Sequence, residues 1–216
     1  TTLNLRNNNI TNCSFLGDLT KLTELNLSFN GITDCPFLGN LTKLTELNLS
    51  FNGITDYSFM SDLTKLTKLG LKNNSIKDGS FLSELTGLTT LNLSQNGITD
   101  GSFLNQIMGL AMLDLSDNDI TEIPKRLAEG RMAIEVDNQF ASNCINFYNN
   151  PIEVPPLEIV LQGNAAILSY YDQLATQGQD HLYEAKMHIV GEGEAGKTTL
   201  AQKILEPNCP LPHVDD

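Results

Sequence analysis

The chain has 216 residues, of which 40% are hydrophobic, and this is enough for one elongated array or for one domain and part of another. Its net charge is −13 and its acidic residues are spread along the whole length, which argues against nucleic acid or an anionic membrane as a partner. No apolar run approaches the ~18 residues needed to span a bilayer. The chain opens inside a repeat and without a Met, so we expect its natural N-terminus to lie upstream of Thr1.

A sixteen-residue stretch, LTKLTELNLSFNGITD, occurs twice without change, at Leu19–Asp34 and at Leu41–Asp56. Looser copies begin at Leu63 and Leu85, so successive copies start 22 residues apart. A fixed period of this length is the signature of a protein built from stacked repeats. Six units are regular, and a longer, irregular unit follows them.

The leucine spacing within one unit predicts its local structure. Two leucines separated by one residue indicate a strand that sends both side chains to one side, whereas steps of three suit a tight turn or 3₁₀ segment on the opposite edge. One coil alone cannot bury these leucines, so we predict stacked coils whose strands form a parallel sheet. The strand pairs are Leu3/Leu5, Leu25/Leu27, Leu47/Leu49, Leu69/Leu71, Leu91/Leu93 and Leu113/Leu115.

An asparagine follows each strand at the same position of the unit. Its side chain can satisfy backbone groups that a sharp bend leaves unpaired, so we predict an internal asparagine ladder with a structural role. The ladder residues are Asn8, Asn30, Asn52, Asn74, Asn96, Asn118 and, in the irregular unit, Asn150.

The LxxLxLxxNxI pattern resembles the leucine-rich-repeat family in its short form, and the ITDxSFLxxLTxL continuation resembles bacterial internalin-like repeats. The resemblance implies an α/β solenoid, a horseshoe with the parallel sheet on its concave side. Residues between the leucines would form the concave surface. The candidate partner-binding residues there are Glu24, Asn26, Phe29, Glu46, Asn48, Phe51, Lys68 and Lys72.

Phe29 and Phe51 are expected side by side, with Glu24 and Glu46 nearby. An exposed aromatic pair on a rigid sheet suits a partner anchor. The alternative is that the two rings only pack against each other, because near-identical repeats carry identical surface residues whether or not a partner uses them.

Four cysteines, at positions 13, 35, 144 and 209, show neither CxxC spacing nor an accompanying His cluster, which predicts a cytosolic, reduced setting. Cys13 and Cys35 occupy the same slot of adjacent repeats, so we expect them to lie close together. A disulfide between them is the alternative, but reduced core thiols are the commoner state and are the prediction.

The period fails after Ile120. IPKRLAEG (Ile123–Gly130) predicts a longer convex helix, Met132–Val136 a short strand, and INFYNNPI restores the repeat, so residues 123–152 read as a cap of the domain 1–152. LEIVLQGNAAILSYYDQL then predicts a helical segment broken near Gly163, within a helical linker 153–183. Its apolar stripe, expected to pack against the cap, is Val160, Ile167, Leu168, Tyr171 and Leu174.

A second motif follows the linker. MHIVGEGEAGKTTLAQKIL has a short apolar strand, a GxxxxGKT loop and a helical pattern in the order that a phosphate-binding P-loop requires. The loop glycines would turn backbone N–H groups towards phosphate, Lys197 would reach the β- and γ-phosphates, and the Thr198 hydroxyl would ligate Mg²⁺. The candidate phosphate-binding residues are Gly191, Gly193, Gly196, Lys197, Thr198 and Thr199.

Short leucine-rich repeats, the cap, a QGNAAILSYYDQL helix and a P-loop in this order resemble the N-terminal half of a bacterial Roco-family protein. In that family the repeats precede a Ras-like GTPase domain, Roc, and a dimerising COR domain. The chain stops at Asp216, before any DxxG or [NT]KxD segment and before COR. We therefore expect residues 184–216 to be an N-terminal fragment of Roc that does not work as a GTPase and holds no cofactor, whereas the full-length protein would bind GTP or GDP with Mg²⁺ and dimerise through COR.

Two main functions follow from these expectations. The first is a protein-interaction scaffold that regulates signalling by a cytoplasmic Roco GTPase, binding a protein partner or the Roc–COR domains of its own chain through the concave face. The second is GTP binding and hydrolysis by the full-length protein. An internalin-like surface adhesin is a third option, against which the P-loop and the absence of a cell-wall anchor count. Outside the P-loop no catalytic constellation is visible, and none of the three histidines has metal spacing or a partnered nucleophile.

Overall fold

A computed structural model describes residues 1–107, 109–137 and 143–177. The chain divides into two compact units, Thr1–Gly178 and Gln179–Asp216. The described residues all belong to the first unit. The P-loop residues, Gly191 to Thr199, lie outside them, as does the predicted Roc fragment 184–216.

Eight short strands form one sheet in which every pair is parallel, which confirms the predicted architecture. The register places equivalent residues of successive repeats side by side, as in Leu25, Leu47 and Leu69, and these leucines are buried. Coils 1 to 6 are named here by the strands β1 to β6 that they contain. The strands are β1 (Thr2–Asn4), β2 (Glu24–Asn26), β3 (Glu46–Asn48), β4 (Lys68–Gly70), β5 (Thr90–Asn92), β6 (Met112–Asp114), β7 (Ala133–Glu135) and β8 (Cys144–Asn146).

The opposite edge of coils 1 to 5 is a 3₁₀ segment, as the steps of three predict. Carboxylates before several of these segments accept the first free backbone N–H, as Asp100 does from Ser102 at 2.8 Å. The apolar side chains of both edges meet in one continuous core. The segments are Ser14–Leu16, Pro36–Asn40, Ser58–Asp62, Ser80–Leu82 and Ser102–Gln106.

The cap contains one further repeat strand, but its two strands lie in the sheet in the reverse of their chain order. Strand β8 pairs with β6, so Ile145 lies beside Leu113 in the slot of a regular repeat, and β7 adds to the outer edge of β8. The prediction of a longer convex helix over Ile123–Gly130 is wrong. Helix α1 spans only Lys125–Ala128, because Pro124 occupies the position before it and the chain leaves the helix ahead of Gly130 to reach β7.

Residues 153–177 of the predicted linker 153–183 belong to the first compact unit, and the rest lie outside the described residues. Helices α2 (Leu157–Val160) and α3 (Asn164–Gln177) are separated by Gly163, whose φ of +88° breaks the helix where predicted. Val160 and Ile167 are buried in the core. The partly buried Leu168 and Tyr171 pack against it, so most of the predicted stripe covers the cap.

Two buried tyrosine hydroxyls differ in their hydrogen bonding. Tyr171 donates to the carbonyl oxygen of Ile123 at 2.7 Å, whereas the Tyr57 hydroxyl has no partner in the described part of the chain. Burial raises the pKa of both phenols, and the Glu122 carboxylate adds to the shift at Tyr171. The unfolded chain therefore ionises these tyrosines first, so their contribution to stability is present below about pH 10 and is lost as the pH rises above it.

These environments predict opposite outcomes for the same substitution. Tyr171→Phe should lower the free energy of unfolding by about 1 kcal/mol, because it leaves the Ile123 carbonyl without its donor. Tyr57→Phe should leave stability unchanged or raise it, because only an unpaired hydroxyl is removed. Urea unfolding at neutral pH checks both, and equal losses in the two variants would contradict the assignment.

Cys13 and Cys35 lie together in adjacent coils, as expected, with their Cα atoms 5.9 Å apart. Their sulfur atoms lie within bonding distance of each other, which favours for this pair the disulfide that was the alternative to reduced thiols. Cys144 is buried in β8.

Candidate functional site

The regular spacing of the ladder asparagines along the chain reflects a hydrogen-bonding role inside the stack. Each amide of Asn30, Asn52, Asn96 and Asn118 accepts from a backbone N–H of the preceding coil and donates to carbonyl oxygens of its own and the preceding coil. Asn74 makes only the donor contacts, and Asn150 repeats the full pattern in the cap. Asn8, in the first coil, is exposed; its side-chain amide donates to the Arg6 carbonyl, and its backbone N–H donates to Asn30 Oδ1.

The outward face of the sheet carries a row of charged side chains. The register aligns Glu24, Glu46 and Lys68 on β2, β3 and β4. Lys68 Nζ donates to Glu46 Oε1 at 2.7 Å, and this bond raises the pKa of the lysine. Thr2 donates its hydroxyl proton to Glu24 at 2.9 Å. Such exposed contacts contribute little to stability, so the row is available for recognition.

A second row of asparagines lies beside the charged row. Asn26 Oδ1 accepts from the Ser28 backbone N–H at 2.9 Å, and Asn48 Oδ1 accepts from that of Ser50 at 3.0 Å. These oxygens therefore stabilise the ends of their own strands. In the next coil Gly70 stands in the row, and an added Cβ there would lie 2.9 Å from Asn48 Oδ1. A shallow groove of about 400 Å³ runs over these strands.

Just after the strand of each repeat unit, the residue at one fixed position, called the slot here, has a left-handed backbone conformation. Its φ values lie between 54° and 60°, and the first six N–H groups donate to the next coil at 2.7 to 3.0 Å. Asparagine and aspartate tolerate this conformation, whereas a bulky side chain in it is an outlier. The slot residues are Asn7, Phe29, Phe51, Asn73, Gln95, Asp117 and Asn149.

Phe29 and Phe51 therefore lie at the strand-end edge, not between the strand leucines. Their rings stack with centroids 4.1 Å apart and an angle of 13° between planes, and Phe29 remains 40% exposed. Arg6 lies over the Phe29 ring at 4.7 Å, and Lys72 lies 5.8 Å from the Phe51 centroid. Two strained aromatic residues with a cation at each end form what we call the aromatic edge: Arg6, Phe29, Phe51 and Lys72.

The sequence predicted that the two rings would be neighbours. It predicted neither their strained backbone conformation nor the contact of Arg6 with the Phe29 ring. The signal was present, because the slot holds Asn, Gln or Asp in the other five coils. Phenylalanine in a slot filled elsewhere by residues suited to a left-handed turn is an exception that the backbone conformation does not require.

In residues 1–107, 109–137 and 143–177, no group of three or more His, Cys, Asp or Glu side chains could hold a metal. No helix in those ranges is both long and apolar enough to cross a membrane. The candidate Mg²⁺ ligand, Thr198, lies outside them.

Comparison with known proteins identifies the repeat unit. The family model described as leucine-rich repeats in two copies matches residues 1–40, 20–63, 42–87 and 64–106. Together with the parallel sheet and the coil geometry, these matches show that the chain contains a leucine-rich-repeat domain.

Solved structures of the same architecture include internalins from Listeria monocytogenes. Internalin F superposes with a TM-score of 0.59 at 28% identity, over 68% of this chain and 41% of that one. Internalin C2 gives 0.57 at 29% identity, over 74% and 76%. A leucine-rich-repeat protein from Leptospira interrogans gives 0.57 at 26% identity, over 68% and 36%.

A curated relative is a Roc-COR-CHAT protease from Runella zeae. The match is 47% identical over 38 residues, which is 18% of this chain and 4% of that protein. The chain therefore corresponds to a small part of that relative's length.

Proposed function

We propose that this leucine-rich-repeat domain is a protein-interaction scaffold, and the aromatic edge is the observation that carries the proposal. Exposed, stacked rings held in a strained backbone by a rigid sheet are preorganised, so a partner meets them at little cost in conformational entropy. Aromatic and arginine side chains are also the residues that most often dominate binding energy at protein interfaces.

The neighbouring rows would set specificity. Glu24, Glu46 and Lys68 present an ordered pattern of charge, and the groove beside Gly70 would accept a protruding side chain. Charged rims of this kind mainly govern partner choice and association rate, whereas the buried aromatic contact supplies most of the affinity.

The parent protein is proposed to be a cytoplasmic Roco-type GTPase whose own Roc–COR region is the partner. The GxxxxGKT motif and the match to a protein named Roc-COR-CHAT protease support this assignment. GTP or GDP and Mg²⁺ would bind in the complete Roc domain, and a COR domain would make the protein a homodimer.

Two measurements test the parent's class. The reading frame beyond Asp216 is expected to encode DxxG and [NT]KxD segments, and a frame without them would overturn the Roco assignment. Fluorescent GDP with Mg²⁺ should bind the full-length protein but not the 216-residue chain. Micromolar binding by this chain that Lys197→Ala abolishes would instead favour a nucleotide site complete within it.

A direct binding titration tests the scaffold. The chain, labelled at a surface amine away from the aromatic edge, is titrated with the separately produced Roc–COR region of the same gene. Saturable binding supports the regulatory scaffold, and no binding at any accessible concentration contradicts this partner.

A surface adhesin is the second candidate, and the likeness to internalins F and C2 is the observation that favours it. Protease treatment of intact cells separates the two: an adhesin is degraded from outside, whereas a cytoplasmic scaffold is protected until the cells are lysed.

A further inference from the structure

One step of the stack, between coils 3 and 4, lacks hydrogen bonds that the neighbouring steps make. The N–H groups of Gly31, Gly53 and Gly97 donate to the isoleucine carbonyl of the preceding coil at 2.8 to 2.9 Å. Coil 4 has Ser75 in this slot, with φ at 59°, and within the described residues the corresponding bond to Ile54 is absent.

The ladder is broken at the same step. Asn30 and Asn96 each accept an isoleucine N–H through Oδ1, whereas the Oδ1 atom of Asn74 is buried and has no partner in the described part of the chain. The strands still pair, because Phe51 donates to the Lys72 carbonyl at 2.7 Å. The two coils are therefore joined along the sheet and by the stack of Tyr57 on Phe81, and their separation is limited to the stretch where these bonds are missing.

A cleft of about 480 Å³ lies at this separation. The ring of Tyr57 stacks on the partly exposed ring of Phe81, with centroids 4.5 Å apart and 13° between planes, and forms an aromatic wall. Polar groups from both coils complete the lining, among them Asp56, Ser75, Lys77 and Asp78.

Two buried polar atoms flank the cleft without partners. Tyr57, which lines it, is only 7% exposed and its hydroxyl is unpaired, and Asn74 is the residue before Ser75. Buried polar groups in native proteins are almost always satisfied, so an exception points to a missing water or ligand. Both atoms lie beneath the surface at the step where bonds between coils are missing, so they mark this step as an exception in the described part of the stack, and the groups that line the cleft are the ones available to a bound molecule.

We propose that this inter-coil cleft binds a neutral, polyhydroxylated small molecule, a mono- or disaccharide. Sugar hydroxyls both donate and accept, which suits a lining that holds carboxylates, an ammonium group and serine hydroxyls together. The aromatic wall matches the apolar face of a sugar ring. The mixed charge of Asp56, Asp78 and Lys77 disfavours an anion, and the volume lies in the range of about 300–1,000 Å³ typical of ligand sites. The site is separate from the aromatic edge and does not depend on the proposed scaffold function.

The test is a titration of the ¹⁵N-labelled chain with glucose, N-acetylglucosamine and maltose, followed by amide chemical shifts. Saturable shifts centred on residues 54–58 and 75–81 are expected with at least one sugar. 1,4-Dioxane, a compact uncharged ring without hydroxyls, is the solute control and should give none. An absence of saturable shifts with all three sugars would show that the cleft holds water only and would overturn the proposal.

Three variants locate the site. Phe81→Ala should weaken binding about tenfold by removing the exposed ring of the wall. Asp78→Asn should also weaken it, whereas Asp100→Asn should not, although both carboxylates cap an equivalent serine and only Asp78 lines the cleft. Equal effects of the two aspartate substitutions would contradict the site.

Discussion

Asn118→Ala is expected to lower the free energy of unfolding by about 2–4 kcal/mol. The side chain is 5% exposed and accepts the Ile98 N–H at 3.1 Å. It also donates to the carbonyls of Leu93 and Leu115 at 3.1 and 2.9 Å. Alanine leaves the Ile98 N–H buried without a partner, which costs about 1–3 kcal/mol. The two carbonyls lose one bond each but keep a donor from the neighbouring ladder asparagine, Asn96 or Asn150.

Asn8→Ala is the matched control for this prediction. It changes the same residue type in the same slot of the repeat, but Asn8 is exposed and its amide donates only to Arg6 at 3.0 Å. Its effect should stay within about 0.5 kcal/mol, as for other surface substitutions. Urea unfolding followed by circular dichroism measures both variants. Similar losses would mean that local turn geometry, not hydrogen bonding between coils, explains the asparagine pattern.

Phe29→Asn and Phe51→Asn should weaken partner binding strongly with little loss of stability. Truncation of an aromatic hot spot typically costs about 2 kcal/mol or more, close to 30-fold in affinity. In the folded chain two effects oppose each other. Asparagine relieves roughly 1–2 kcal/mol of left-handed strain, whereas the lost ring stack is worth about 0.5–1.5 kcal/mol. The net change in the free energy of unfolding should therefore be below about 1 kcal/mol.

Gln95→Asn is the control, since it places the same residue in the same slot two coils beyond Phe51. It should change neither affinity for the Roc–COR region nor the unfolding midpoint. The measurement is a titration with that region alongside urea unfolding of each variant. If both phenylalanine variants unfold as readily as core truncations and bind as well as the parent chain, the rings serve mutual packing. That is the alternative left open by the identity of the repeats.

The aromatic edge and the charged row are expected to contribute to partner binding to different degrees. Lys68 and Glu46 are both exposed, with side-chain exposures of 55% and 42%, so their ion pair is weak and screened by salt. Substitutions there should alter the salt dependence of binding more than its strength at high salt. The anchor and the selectivity of the surface thus reside in different residues, which lie five positions apart within one coil in the case of Glu46 and Phe51.

Much of the fold could be predicted because the repeat is periodic. Leucines two residues apart require a strand, a period of 22 requires stacking, and an asparagine at every bend requires a ladder. The cap was predicted less well. The period ends at Ile120. Beyond it, only local propensity was available to predict the helix after Pro124 and the packing of α3. Contacts such as the 2.7 Å bond from Tyr171 to Ile123 decided that α3 belongs to the folded unit.

For the candidate surface, too, some features followed from the sequence and others only from the structure. The sequence by itself determined that Phe29 and Phe51 are neighbours and that Glu24, Glu46 and Lys68 share a row, because a 22-residue period superposes them. Only the tertiary structure decided that the two rings occupy a strained left-handed slot and that Arg6 lies over one of them. Only it showed that, within the described residues, the backbone bond from Ser75 to the Ile54 carbonyl is missing. Backbone dihedral angles and contacts between coils depend on how each coil meets the next, and a one-dimensional pattern does not contain that information.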